Sequence, residues 1–148
     1  MLRCVTCGAT MSQSAYRCGR CGGVLEVDIR LTREQWEDVR RPPVGASQWM
    51  YGSRMPVGAI DPVTLGEGAT SLLAADAALV GSGFSGRVLL KDETGNPTGS
   101  FKDRLVSVAL TRAIEDGHTA VVCASTGNAG ASAAAYAARA GIPCVVCI

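Results

Sequence analysis

Four cysteines near the start of the chain have the spacing of metal ligands. Cys4 and Cys7 form one CxxCG unit, Cys18 and Cys21 form a second, and ten residues separate the two units. Each CxxC places two thiolates on one tight turn, and the following glycine lets the backbone bend sharply. Four thiolates in a tetrahedral array suit Zn²⁺ and leave no open position, so we predict a structural zinc site. Redox-active or incidental cysteine pairs are the alternative.

A lysine follows a loop containing proline and glycine, at the start of a predicted helix. The run Asn96–Arg104 reads NPTGSFKDR, and Ser100 is suited to cap the helix, which puts Lys102 in its first turn. The positive end of the helix dipole disfavours an ammonium group there. An uncharged amine is what Schiff-base chemistry requires. A surface lysine beside Asp103 is the alternative.

A second loop of small polar residues follows a predicted strand and opens another helix. It reads STGNAG over Ser125–Gly130, and such a loop can present backbone N–H groups to an anion. An ordinary capping loop and a nucleotide phosphate loop are the alternatives, although neither GxGxxG nor GxxxxGK[S/T] is present.

Both loops belong to a segment in which strands and helices are predicted to alternate. The expected elements are strands over Arg87–Lys91, over Thr119–Ala124 and from Val145, and helices from Ser100 to Gly117 and from Asn128 to Gly141. The order β-α-β-α-β predicts parallel strands in a partial open α/β sheet flanked by helices.

The helix after Ser100 has apolar residues at spacings of three and four. Its expected core face comprises Leu105, Val106, Ala109, Leu110, Ala113 and Ile114. The polar residues Asp103, Ser107 and Thr111 are expected mostly on the opposite, solvent-facing side. The later cysteines Cys123, Cys144 and Cys147 fall in predicted strands and are expected to be buried thiols, with Cys144 and Cys147 on opposite faces.

Three regions follow from the changes in composition along the chain. Residues 1–24 are expected to form the zinc ribbon, residues 25–62 a connector, and residues 63–148 the α/β segment, which the family resemblance given below implies to be the N-terminal portion of a truncated catalytic domain. In the connector, Thr32 and Gln35 predict a capping box and a short helix to about Arg40, which stops before Pro42–Pro43. Beyond these prolines the connector is expected to be extended.

Composition excludes several classes of protein. Hydrophobic residues make up 47% and charged residues 18%, and the net charge is +1, which argues against disorder and against strong binding to nucleic acid. No secretory signal and no clean membrane span are visible, so we expect a soluble cytoplasmic protein with reduced thiols.

The motifs occur in the order seen in threonine synthases, which belong to the fold type II pyridoxal-phosphate (PLP) enzymes. The segments that carry this resemblance are Leu65–Thr70 (LGEGAT), Lys91–Glu93 (KDE), Asn96–Arg104 and Ala124–Asn128. A four-cysteine ribbon ahead of the catalytic region also resembles some threonine synthases and cysteate synthases. Members of this family are much longer, so we expect the chain to be an N-terminal part, inactive alone and without the cofactor-phosphate loop.

The resemblance implies roles for particular residues. Lys102 would form the Schiff base with PLP and move protons, and Asn128 would bond to the ring hydroxyl of the cofactor. Ser125, Thr126 and Gly127 would hold the substrate carboxylate. The further candidates near the substrate are Thr70, Asn96 and Arg104.

The implied reaction converts O-phospho-L-homoserine and water to L-threonine and phosphate, and the resemblance also implies a homodimer. Ala129 and Ser71 stand where many threonine synthases carry threonine and proline. The alternatives are therefore a cysteate synthase or a threonine or serine dehydratase of the same family. A non-catalytic zinc-ribbon binding module is the reading from a different class.

Overall fold

The computed structural model describes residues 1–39, 47–58, 61–75, 83 and 86–148 of the chain. The described residues group into two compact units. The first unit holds residues 1–39 and 54–56, and the second holds residues 47–53, 57–58, 61–75, 83 and 86–148. The predicted end of the first helix at about Arg40 and its stop at Pro42–Pro43 lie outside the described residues.

The first unit contains an antiparallel sheet and one short helix. Strands β1 (Leu2–Cys4), β2 (Thr10–Met11) and β3 (Leu25–Val27) pair in the order β2-β1-β3. Helix α1 spans Arg33–Val39. The predicted capping box is confirmed, since the Thr32 N–H donates to Gln35 Oε1 at 2.8 Å and the Gln35 N–H donates to Thr32 Oγ1 at 3.2 Å.

The sequence predicted an extended connector, but part of the connector is helical. A 3₁₀ helix spans Gln48–Arg54, and the Ser47 hydroxyl caps it by accepting the Trp49 N–H at 3.2 Å. The Gln48 N–H donates to the Glu67 carbonyl at 2.8 Å. These bonds satisfy polar backbone groups that an extended segment would leave open, which favours the turn over the predicted conformation.

A two-stranded antiparallel sheet precedes the loop that carries Lys102. It pairs β4 (Leu72–Ala74) with β5 (Leu89–Lys91), with Leu72 opposite Lys91. The strand predicted over Arg87–Lys91 is therefore shorter, and its assignment to the parallel sheet was wrong. Backbone hydrogen bonds from the Ala75 N–H to the Val88 carbonyl and from the Asp92 N–H to the Ser71 carbonyl extend the pairing at both ends. The antiparallel partner β4 therefore provides hydrogen-bond partners for the backbone of β5.

The last third of the chain is a parallel β-α-β unit preceded by a helix. Helix α2 spans Lys102–Glu115, β6 spans Val121–Ala124, α3 spans Asn128–Ala140 and β7 spans Cys144–Cys147. Strands β6 and β7 are parallel, as predicted, and α3 ends at the predicted Gly141. The core residues are Val63, Val106, Leu110, Tyr136 and Ala137.

Helix α2 buries part of the predicted apolar face, Val106 and Leu110, together with polar residues expected on the opposite side. Leu105 is 63% exposed, whereas Asp103 and Ser107 are fully buried and Thr111 nearly so. The polar groups are buried because each has a partner. The Thr98 N–H donates to Asp103, and the Val63 N–H donates to Thr111. The Ser107 hydroxyl shares its one proton between the Val63 carbonyl and the Glu67 carboxylate. The apolar residues of the predicted face that are instead exposed are Leu105, Ala109 and Ile114.

The Ser100 hydroxyl accepts the Lys102 N–H at 3.2 Å, which is a capping bond of the kind predicted for it, and Phe101 is the residue directly before α2. One smaller expectation was wrong. Cys147 is exposed, while Cys123 and Cys144 are half-buried, because alternate residues of β7 point away from α3. No helix among the described residues is long and apolar enough to cross a membrane.

Candidate functional site

The four cysteines of the first unit converge on one point. Their Sγ atoms all lie within 4.8 Å of one another, with Cys4 and Cys21 3.5 Å apart and Cys7 and Cys18 3.6 Å apart. Each pair ends in a glycine with positive φ, Gly8 at 71° and Gly22 at 70°. A residue with a side chain would be strained there.

The protonation of these thiols fits a divalent cation. Backbone N–H groups, chiefly that of Cys7, lower the pKa of Cys4 to about 6. Although the Gly23 N–H acts to lower it, hydrogen bonds with Cys7 and Cys4 raise the pKa of Cys21 to about 12. The coupled thiols therefore resist carrying several negative charges at once unless a positive charge compensates them, as a metal ion would.

Lys102, the candidate for holding the cofactor, is the first residue of α2 and is half-buried. Its Nζ lies 4.3 Å from the centroid of the Phe101 ring. A protonated amine at this distance is attracted by the face of the ring. Phe101 lines a neighbouring cavity, whereas Lys102 itself is not among the residues that line it.

That cavity has a volume of about 510 Å³, within the range of small-molecule and cofactor sites. Leu73 and Leu90 of the β4–β5 sheet form apolar wall, and Ser100 and Asn128 add polar groups. Of the predicted cofactor and substrate residues, Asn128 is the one in the wall. Lys102 follows the lining residue Phe101 in the chain but is not itself part of the lining, and the lysine that lines the cavity is Lys91. The other predicted residues also lie outside the lining: Ser125, Thr126, Gly127, Thr70, Asn96 and Arg104.

The STGN loop joins β6 to α3 and leaves the helix N-terminus without a side-chain cap. Gly127 is the N-cap residue and makes no side-chain bond, while the Ser125 hydroxyl accepts the Gly127 N–H at 3.2 Å. Gly130 allows α3 to start close to the sheet, because a Cβ there would lie 2.9 Å from Val146 Cγ1 and 3.0 Å from the Ser125 carbonyl oxygen. The geometry suits an anion, as the sequence indicated.

Thr70, Asn96 and Arg104 do come together, around a carboxylate that the sequence analysis did not single out. Arg104 donates to both oxygens of Glu93, from Nε at 2.7 Å and Nη2 at 2.8 Å. Thr70 Oγ1 donates to Oε1 at 2.8 Å and Asn96 Nδ2 to Oε2 at 2.9 Å. Arg104 is the main cause that lowers the pKa of Glu93 to about 2, so the group is an ion pair at neutral pH.

A second carboxylate, Glu67 of the LGEGAT segment, is completely buried. Burial acts to raise the pKa of Glu67, but hydrogen bonds led by those from Ser107 and Tyr136 outweigh it and lower that pKa. One weak signal for this residue is visible in the sequence, a glutamate between two glycines in the LGEGAT segment. The polar residues that donate hydrogen bonds to Glu67 are scattered along the chain.

Comparison with known proteins identifies the family. The family described as "Pyridoxal-phosphate dependent enzyme" matches residues 63–148. The threonine synthase of Methanosarcina acetivorans is 40% identical over 147 residues, which cover 98% of this chain and 36% of that protein. That of Methanocaldococcus jannaschii is 40% identical, covering 97% of this chain and 36% of that protein.

A mycobacterial relative matches a shorter stretch more closely. The threonine synthase of Mycobacterium tuberculosis H37Rv is 56% identical over 99 residues, which cover 66% of this chain and 27% of that protein. Nearly the whole chain aligns with these two archaeal relatives, and it spans about a third of their length. The family match covers more than half of the chain, and the chain belongs to the pyridoxal-phosphate-dependent enzyme family.

Proposed function

We propose that the chain forms the lysine-bearing part of a threonine synthase-type lyase. The reaction converts O-phospho-L-homoserine and water to L-threonine and phosphate. The single observation that carries this proposal is a cavity lined by Asn128, the first residue of α3, and by Phe101, which directly precedes Lys102 at the start of α2. Threonine synthases are also the relatives that align with nearly the whole chain.

The described residues fit PLP at this cavity. Lys102 supplies the amine to which the cofactor aldehyde would be attached, and Asn128 supplies an amide that can bond to the ring hydroxyl. The apolar side chains Leu73 and Leu90 suit a flat ring. When bound, PLP serves as an electron sink for carbanion chemistry.

The protein's own groups would then bind the substrate and move protons. Ser125, Thr126 and Gly127 offer hydroxyl and backbone N–H groups at the uncapped start of α3, where a substrate carboxylate would be stabilised. Lys102 would carry a proton to and from the substrate carbon. The ion pair of Arg104 with Glu93, together with Thr70 and Asn96, would keep the loop before α2 in place.

The proposal includes Zn²⁺ at Cys4, Cys7, Cys18 and Cys21, whose sulfur atoms already lie close together. Four cysteine ligands complete a tetrahedral site, so the metal would be structural rather than catalytic. A cytoplasmic location and a homodimer complete the proposal. The location is supported by seven cysteines that form no disulfide.

The test locates the lysine that holds the cofactor. The chain contains two lysines, Lys91 and Lys102, and peptide mapping after borohydride reduction of the intact protein with PLP distinguishes them. We expect the label on Lys102, and loss of the visible absorption in Lys102→Ala. Labelling of Lys91, or of neither lysine, would overturn the assignment.

The reaction is tested separately. The intact protein should release phosphate from O-phospho-L-homoserine in step with threonine formation. Ammonia release from free threonine or serine, without activity on the phosphorylated substrate, would favour a dehydratase instead. Cysteate formation from a phosphorylated serine would favour a cysteate synthase.

A further inference from the structure

The side chain of Glu67 accepts hydrogen bonds from an unusually complete set of donors. Ser107 Oγ, Trp49 Nε1 and Gln48 Nε2 bond to Oε1 at 2.6, 2.8 and 3.1 Å. On the other oxygen, Oε2, the donors are Tyr136 Oη at 2.7 Å, Thr64 Oγ1 at 3.1 Å and the Leu65 N–H at 3.1 Å. A buried carboxylate is tolerated only when donors replace the water it has lost.

Two of these donors lie on the two helices that carry the candidate cofactor residues. Ser107 belongs to α2, which begins at Lys102, and Tyr136 belongs to α3, which begins at Asn128. The two oxygens of one carboxylate therefore join the two helices through bonds of 2.6 and 2.7 Å. Both hydroxyl-bearing residues are fully buried.

The electrostatics keep this link intact at neutral pH. The hydrogen bonds from Ser107 and Tyr136 lower the pKa of Glu67 against the effect of burial, so Glu67 is ionised. Burial and the bond to Glu67 raise the pKa of Tyr136, so its hydroxyl remains a donor. Charge-assisted bonds of this length are stronger than neutral ones.

We infer that Glu67 is a positioning residue for the cofactor site, one that fixes the Lys102 helix relative to the Asn128 helix. This inference rests on the proposed function. A buried link with a single geometry limits how far the two helix starts can move apart. Loss of the link would therefore displace groups that must hold the same cofactor ring.

The test separates positioning from general stability. Ser107→Ala breaks the α2 arm and Tyr136→Phe breaks the α3 arm, and Glu67→Gln replaces the shared acceptor. The matched control is Thr111→Val, which removes another buried hydroxyl of α2, bonded to Val63 and Ser107 rather than to Glu67. PLP dissociation constants of the intact proteins are measured well below each unfolding transition, with circular dichroism confirming the fold.

We expect each arm variant to weaken PLP binding about tenfold. The double variant should lose little more than either single variant, and Thr111→Val should bind PLP as the wild type does despite lower stability. Unchanged dissociation constants in the arm variants, or an equal loss in Thr111→Val, would overturn the inference. If Glu67→Gln does not fold, the milder Tyr136→Phe decides the matter.

Failure of the proposed function looks different in the same experiment. It would be seen in the wild-type protein, as an absence of PLP at Lys102 after reduction. Failure of the positioning role would be seen only in the variants, with the wild type labelled normally.

Discussion

Arg104 donates two hydrogen bonds to the carboxylate of Glu93, from Nε to Oε2 at 2.7 Å and from Nη2 to Oε1 at 2.8 Å. Glu93 lies in the 3₁₀ helix Glu93–Gly95 after β5, and Arg104 lies in the first turn of α2. The ion pair therefore spans the loop that leads into Lys102. Because the pair is bidentate, it restrains both ends of that loop in one geometry.

Acid should weaken the protein through this pair. The pKa of Glu93 is lowered to about 2 in the folded state, below the value of about 4.3 for an unfolded glutamate. The contribution of the ionised carboxylate is fully present above about pH 4.3 and is lost as the pH falls toward about 2. Glu93→Gln should lower the free energy of unfolding by about 1 to 2 kcal/mol at neutral pH.

The measurement is urea unfolding of wild type and Glu93→Gln at several pH values. The difference between the two should shrink as the pH is lowered through the acid range. Glu26→Gln is the control, since Glu26 also pairs with an arginine, Arg3, but both side chains are about half exposed and such pairs contribute little. A difference that stays constant on acidification would contradict the ion-pair explanation.

Removing metal should unfold the β1–β3 sheet. This small sheet has few buried apolar side chains, so a metal held by four cysteines would supply most of its folding free energy. Chelation at neutral pH should abolish its circular dichroism signal, and metal analysis before chelation should find about one zinc per chain.

The matched pair of variants for this prediction uses two exposed cysteines, Cys21 in the cluster and Cys147 in β7. Cys21→Ser should lower zinc content sharply, whereas Cys147→Ser should leave it unchanged. A folded sheet with four titratable thiols and no metal would defeat the zinc proposal.

Substitutions on α2 should distinguish its buried face from its exposed one. Leu110 is 4% exposed and Leu105 is 63% exposed. Leu110→Ala should cost about 2 to 5 kcal/mol of unfolding free energy, whereas Leu105→Ala should change it by no more than about 0.5 kcal/mol. Thermal or urea unfolding gives both values. Equal losses would mean that Leu105 is buried as well, as the apolar pattern of α2 predicts.

The parts of the fold that sequence reasoning reached are those set by local chemistry. The capping box of Thr32 and Gln35, the limits of α3 and the parallel pairing of β6 with β7 depend on residues close together in the chain. The convergence of the cysteines likewise follows from two short repeated units.

The parts it missed are set by partners far away in the chain. The buried face of α2 depends on Val63 and Glu67, which hydrogen-bond Ser107 from about forty residues away. A hydroxyl at such a position is read as solvent-facing because helical periodicity contains no information about its acceptor. The antiparallel partner of β5 was missed because β4 is a three-residue strand with no alternating pattern.

Each compact unit of the chain contains one tryptophan. Trp36 lies in α1 of the first unit and is 54% exposed, while Trp49 belongs to the second unit and donates its indole N–H to Glu67 at 2.8 Å. Intrinsic fluorescence can thus follow the two units separately, once Trp36→Phe or Trp49→Phe has silenced the other emitter. The wavelength and quenching of Trp49 would report directly on the environment of the buried carboxylate.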